Sequence, residues 1–313
     1  MITQESFIKA SMGKKEKSQR RFSKLLRICN RLLPVKVKID KTRIGEYLFL
    51  TICRASDFDM VLASIDTLTR NSALLPYRFV VVSDGSWVLP LGEKYFKRHG
   101  LNVECVDWSD CADFYKNSCP SLTKWAQGHI WGKKMAAILY FSETEKVLFS
   151  DPDILWYNTP LTGDELKNCK LKLSIDNSHN YDDEFIKNCG FEHLYDTKEP
   201  INCGAVFIQG GLNLLSKDAL KCIEYEATHC GKFAEQTVFA IMDIDYNCRW
   251  KMEEITSEIS DLLQPFSGKT IEYKNMIARH YLWRLKWIYW KDYFKVRFHY
   301  CPRRFVNNSL KHA

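Results

Sequence analysis

No run of 18 apolar residues occurs in the chain, and its first twenty residues are polar and basic without an apolar h-region. A membrane-spanning helix and a secretory signal peptide are therefore not expected. Cysteine is present twelve times, but without a Cys-x-x-Cys pair and without the paired spacing of a metal finger. Cys53, Cys105 and Cys203 sit inside apolar, strand-like runs. They read as small buried hydrophobes of a protein in a reducing compartment. Internal repeats and low-complexity linkers are absent as well.

What is present is a chain of 313 residues, 46% hydrophobic and 13% aromatic. That composition can bury a sizeable core, as one large α/β domain or two small ones, and it excludes disorder of the whole. The formal charge of +7 is unevenly spread, because residues 1–38 hold eleven Lys and Arg against only Glu5 and Glu16. The remainder is slightly acidic, so the basic character belongs to an arm. Within "RRFSKLLRICNRLL", residues Phe22, Leu25, Leu26, Cys29, Leu32 and Leu33 fall on one helical stripe, with Arg20, Lys24, Arg27 and Arg31 largely off it. Near the other end, Trp283, Trp287, Trp290 and Phe294 recur at helical spacing among seven Lys and Arg. Two such ends suit attachment to an anionic membrane surface through residues 20–33 and 283–304; packing of either stripe on the protein's own core is the alternative. Basic and aromatic ends also suit nucleic acid, but no recognised module accompanies them and no nucleic-acid partner is expected.

Between the ends, strand and helix patterns alternate. "YLFLTIC" (Tyr47–Cys53), "YRFVVVSDGS" (Tyr77–Ser86), "LNVECVDW", "KVLFSD", "LKLSID" (Leu171–Asp176) and "INCGAVFIQGG" (Ile201–Gly211) read as strands. Residues 58–73, "VLPLGEKYFKRHG", Ser121–Glu145 (one or two helices), "LLSKDALKCIEYEATHC" and "AEQTVFAIM" carry helical spacing. The alternation predicts an α/β fold with a parallel, doubly wound sheet. In such a sheet ligands gather beyond the carboxyl ends of the strands. Asp84, Asp107, Asp151, Asp153 and Asp176, all at strand ends, are therefore the carboxylates of interest.

Asp151 and Asp153 stand out. At i and i+2 behind an apolar strand their side chains point the same way, and Pro152 turns the chain where both can converge on one ion. Oxygen ligands of this kind suit Mg²⁺ or Mn²⁺, which keep phosphate oxygens among their remaining ligands, so a metal held there would carry a diphosphate. The plainer alternative is a pair of turn caps.

Four features, in order across residues 47–286, resemble the retaining, family 8 type of nucleotide-sugar glycosyltransferase, the glycogenin and bacterial lipopolysaccharide galactosyltransferase group with the GT-A fold. "KVLFSDPDILW" is similar to that family's strand ending in D-x-D, and "GKKMAAILYF" to its helix with a basic residue. "INCGAVFIQGG" resembles F-N-x-G-V, "AEQTVFAI" resembles D-Q-x-x-x-N with Glu235 for the Asp and Ala240 near the Asn, and "HYLWRLKW" resembles H-x-x-G-x-x-K-P-W with Trp283 for the Gly and Trp287 for the Pro.

The resemblance implies Asp151, Asp153 and His280 as ligands of Mn²⁺ or Mg²⁺. It implies Lys134 (or Lys133), Asp151, Asn202, Gly204 and Lys286 as contacts to a nucleotide-sugar, of the UDP kind, and Gln236 and Glu235 as residues at the transferred sugar. Asp176, at the end of "LKLSID", is a further candidate for orienting the acceptor, with a turn cap as the plainer alternative. The implied activity is metal-dependent transfer of a hexose from a nucleotide-sugar to a glycan or lipid-linked acceptor, with retention. The implied fold is α/β, a GT-A type, Rossmann-like mixed and mostly parallel sheet flanked by helices, with basic helical ends. It is organised as a basic arm over 1–40, a catalytic GT-A domain over 45–275, and a C-terminal segment over 276–313 that contacts metal and diphosphate. A cytoplasmic location, peripheral on the inner membrane face, goes with it. The rivals are a Mg²⁺-dependent D-x-D phosphatase, which expects its motif on the first strand, and a non-catalytic membrane-surface binding protein.

Overall fold

The computed structural model describes residues 14–33, 35–257, 276–282 and 286–299. Its centre is a seven-stranded sheet in the order β3-β2-β1-β4-β7-β6-β8. The strands are β1 (Leu48–Cys53), β2 (Arg78–Ser83), β3 (Glu104–Asp107), β4 (Val147–Ser150), β6 (Leu171–Ile175), β7 (Ile201–Ile208) and β8 (Arg249–Trp250). β1, β4, β6 and β7 are buried along their whole length, as expected of strands covered on both faces, and this is why they read as continuous apolar runs rather than alternating ones.

Pairing is parallel from β3 through β2 and β1 to β4, and again between β6 and β8. β7 is antiparallel to both of its neighbours. This reversal matters for the site. It brings the beginning of β7 to the edge where β4 and β6 end, with Ala205 opposite Ser150 and Asn202 opposite Ser174. The register between β6 and β7 also shifts at Leu173/Ser174, which displaces the start of β7 locally.

Helices cover both faces. On one side Leu48, Leu50 and Ile52 pack with α4 (Trp108–Phe114), α5 (Pro120–Gly128), α6 (Ile130–Ser142), α8 (Asp183–Cys189), α9 (Lys217–His229) and α10 (Ala234–Tyr246). On the other, Phe49, Phe79 and Val81 pack with α2 (Phe58–Asn71) and α3 (Leu89–Arg98). The short α7 (Gly163–Asn168) leads into β6. The patterned stretch from Ser121 to Glu145 is two helices, broken at His129, which is extended and caps α6 by accepting from the Trp131 N–H. Gly132 makes their close packing possible, because a Cβ there would stand 2.4 Å from the backbone of Trp125.

A second, three-stranded sheet in the order β5-β10-β9 joins β5 (Ile154–Trp156), β9 (Ile255–Thr256) and β10 (Ala278–His280). Its antiparallel register sets His280 opposite Ile154, the residue after Asp153. A separate apolar cluster under this sheet contains Leu155, Tyr157, Tyr281, Tyr289, Trp290 and Tyr293.

The two basic ends differ from one another. α11 (Lys286–His299) turns its aromatic side inward, with Trp290 and Tyr293 buried and the Tyr293 hydroxyl bonded to Asp66 at 2.9 Å. Of the expected membrane-facing stripe, Trp290 is buried and Phe294 half-buried against the core, which corrects the expectation for these two. The side chains of Trp283 and Trp287 and residues 300–304 lie outside the described residues. α1 (Lys14–Leu32) does the opposite. Its charged flank faces the protein, where Arg27 and Arg31 both reach Asp59 (2.7 and 2.9 Å) and Asn30 accepts from Arg297. Of its apolar stripe, Phe22 (49%), Leu25 (58%) and Leu32 (76%) are exposed, with Cys29 and Leu33, whereas Leu26 is half-buried against the cluster under the small sheet. No described helix is long and apolar enough to cross a membrane.

Candidate active site

A cavity of about 520 Å³ opens beyond the carboxyl ends of β1, β2 and β4, where the strand order reverses. Arg54, Asp84, Trp131, Lys134, Asp151 and His280 are among its walls. Residues from five distant stretches of chain meet there. Asp151 and Asp153 follow β4 directly, and the Asp151 N–H donates to the Gly204 carbonyl at 2.7 Å, which ties the D-x-D turn to the head of β7. The Tyr281 N–H donates to the Asp153 carbonyl at 2.9 Å, which fixes the same turn to the end of β10.

The imidazole of His280 is thereby held against both carboxylates, with Nε2 3.6 Å from Asp151 and 3.2 Å from Asp153. One ligand atom from each of Asp151, Asp153 and His280 lies within 4.8 Å of the others. Two carboxylates and one imidazole form a donor set for a hard or borderline divalent cation such as Mn²⁺ or Mg²⁺.

Beside them Lys134 is buried, 3.1 Å from Asp151 and 3.7 Å from Glu235. Burial is the largest single effect and would lower the pKa of this ammonium, but Asp151, Cys203 and Glu235 together outweigh it and hold the group charged. The adjacent Lys133 points elsewhere, donating to the Asp84 carbonyl at 2.7 Å and lying over the Trp108 ring. Of the two lysines, Lys134 is the one in the cluster.

Glu235 and Gln236 stand in the first turn of α10. The turn is aimed by Phe233, whose φ of +60° is a strained value for a residue with a side chain, costing roughly 1 kcal/mol or more. Burial raises the Glu235 carboxyl above its ordinary range, partly offset by Lys134. Its Oε1 accepts from the Cys203 thiol at 3.4 Å, whereas Oε2 is buried with no hydrogen-bond partner among the described residues. Such an orphaned acceptor fits a ligand hydroxyl. Asp176 is also buried and accepts from the side chains of Asn202 (3.2 Å), Asn180 (3.2 Å) and Gln236 (3.4 Å).

All of Lys134, Asp151, Asp153, Asp176, Asn202, Gly204, Glu235, Gln236 and His280 thus belong to one constellation. The side chain of Lys286 lies outside the described residues. Asp107 is not part of it: its carboxylate caps α4 by accepting from the Ser109 N–H at 2.9 Å. Asp84 lines the cavity but its carboxylate accepts from the Ser86 N–H within its own turn. The sequence reading missed Cys203 as a member of the cluster. Its thiol sits 3.6 Å from Lys134 and, kept protonated by burial, donates to Glu235. The signal was its place between Asn202 and Gly204, on the alternate face of β7.

No family model matches the chain, and no curated protein matches it in sequence. Among solved structures it is similar to mouse xyloside xylosyltransferase 1 (10% identity over 75% of this chain and 97% of that one, TM-score 0.48). It is also similar to the glycosyltransferase GlyE of Streptococcus pneumoniae TIGR4 (12% identity, 79% of this chain and 61% of that one, TM-score 0.47). A third likeness is to an active-site mutant of LgtC (12% identity, 75% of this chain and 87% of that one, TM-score 0.45).

Proposed function

We propose that the chain is a metal-dependent glycosyltransferase that moves a hexose from a nucleotide-sugar, of the UDP kind, to a glycan or lipid-linked acceptor with retention. The observation that carries this reading is the convergence of Asp151, Asp153 and His280 at the mouth of a cavity beyond β1 and β4. It joins the D-x-D, N-x-G, Gln and His motifs of the sequence into one place.

Asp151, Asp153 and His280 would hold Mn²⁺ or Mg²⁺, which supplies positive charge to the departing nucleoside diphosphate. Lys134 adds a fixed positive charge on the inner side. Glu235, with one free buried oxygen, orients a sugar hydroxyl. Gln236 is tethered to Asp176 and carries a neutral amide, a poor nucleophile. The acceptor hydroxyl therefore enters on the side of the leaving group. The new C–O bond forms as the anomeric carbon–phosphate oxygen bond breaks, and the hydroxyl proton passes to the departing diphosphate oxygen. Residues 20–33 face an anionic membrane on the inner, cytoplasmic side, close to a lipid-linked acceptor.

The test is thermal stability with UDP in the presence and absence of Mn²⁺. The protein is expected to be stabilised most when both are present and not by UDP alone, and Asp153→Ala to lose the effect. A non-catalytic scaffold gives no such shift, and a D-x-D phosphatase expects its aspartates after the first strand, whereas Asp151 and Asp153 follow β4. A wild-type protein indifferent to Mn²⁺ and UDP together would sink the proposal.

A further inference from the structure

The Asn202 side chain makes contacts whose chemistry fixes its orientation. Its Oδ1 faces the Gly204 N–H at 2.9 Å, and a backbone N–H can only donate. Its Nδ2 faces the Asp176 carboxylate at 3.2 Å, which accepts. The amide is thereby set with oxygen toward Gly204, and that same oxygen lies 3.1 Å from Nδ1 of His280. An amide oxygen cannot donate, so Nδ1 carries the proton, and in the neutral imidazole that a metal requires the lone pair is on Nε2, the nitrogen that faces Asp151 and Asp153. The ring is also confined in space. A Cβ on Gly204 would stand 2.1 Å from Cε1 and 2.4 Å from Nδ1 of His280.

We infer that Asn202 and Gly204 are positioning residues for the metal ligand His280: Asn202 selects its tautomer and Gly204 makes room for its ring. The inference rests on the metal-site reading above and assigns to the N-x-G segment a task separate from contact with the donor sugar. Asp176, which receives the Asn202 amide and also that of Gln236, links the seat of the metal ligand to the residue placed at the sugar.

Metal-ligating histidines are generally oriented by an acceptor on the other ring nitrogen, and losing that acceptor costs about 10- to 100-fold in metal affinity. The experiment is titration of Mn²⁺ into the nucleotide-free protein, followed by calorimetry or by the electron paramagnetic resonance of free Mn²⁺. Asn202→Ala is expected to weaken Mn²⁺ binding about 10- to 100-fold, and Asn202→Asp, which keeps an acceptor toward Nδ1 but sets a second carboxylate against Asp176, to bind more tightly than Asn202→Ala. Asn202→Ala with unchanged Mn²⁺ affinity overturns the inference, since a residue acting only on the sugar would behave that way. If Asn202→Ala is unfolded by circular dichroism, Asn202→Ser, too short to reach His280, carries the same expectation. Asp153→Ala separates the two readings. If it loses Mn²⁺ while Asn202→Ala does not, only the positioning role falls; if it keeps Mn²⁺, the metal site falls and the inference with it.

Discussion

A single missing methyl group at Gly204 decides whether His280 can face the two aspartates, because the ring occupies the space a side chain would need. Gly204→Ala is therefore expected to push the imidazole out of the cluster and to abolish Mn²⁺ binding in the same titration. Overpacking of this kind costs roughly 1–3 kcal/mol of stability. A variant that melts lower but retains Mn²⁺ affinity would show that the ring moves without leaving its ligand position. The residue types of the site could be read in the sequence, since D-x-D, N-x-G, a Gln at a helix start and a late His each carry recognisable chemistry. What could not be read were the partners. Lys133 and Lys134 are chemically identical neighbours, and only the direction of α6 separates a side chain on Asp151 from one on the Asp84 carbonyl. Cys203 was indistinguishable from a core hydrophobe because a buried thiol and a buried alanine leave the same pattern.

At the scale of the element, α1 shows how a correct periodicity can leave its direction open. The stripe from Phe22 to Leu33 was visible, but a stripe does not state which way it faces. The decision comes from Asp59 on α2, a buried carboxylate that draws Arg27 in a two-pronged contact and Arg31 beside it, and so leaves Phe22, Leu25 and Leu32 outward while Leu26 packs on the core. The consequence can be measured. Leu25→Asp with Leu32→Asp is expected to abolish co-sedimentation with vesicles containing anionic lipid at low salt. Stability should change by no more than about 0.5 kcal/mol, because both side chains are exposed. Undiminished sedimentation would mean that the outward face serves something other than lipid. The small sheet was not legible at all. β9 and β10 are two and three residues long, and β5 is three, too short for any period to appear. The reversed direction of β7 was hidden for a different reason, since an all-apolar strand reads alike from either end.

For the whole molecule, the site depends on one sheet edge collecting acids and bases from residue 134 to residue 280, so the energetics of buried charge matter beyond the cavity. Glu226 on α9 is a second case, outside the metal cluster. It is fully buried; Oε2 accepts from the Gly231 N–H at 2.7 Å, and Oε1 has no hydrogen-bond partner among the described residues. Burial pushes its pKa up from 4.5 to about 7, the Gly231 contact opposing and the nearby Asp182 carboxylate adding to the rise. Between those two values the folded protein holds a proton that the unfolded chain has released. Stability is then highest below about pH 4.5 as far as this group is concerned, and it falls as pH rises toward 7, by about 3 kcal/mol in total. Glu226→Gln keeps an acceptor for the Gly231 N–H and removes the charge. The variant is expected to melt above the wild type at pH 8 and to converge with it near pH 4.5, so that the difference between the two melting curves, taken across pH, reports this carboxylate together with its coupling to Asp182. Parallel curves would show that Glu226 is ionised at no cost, with water or a cation reaching Oε1 in the folded state.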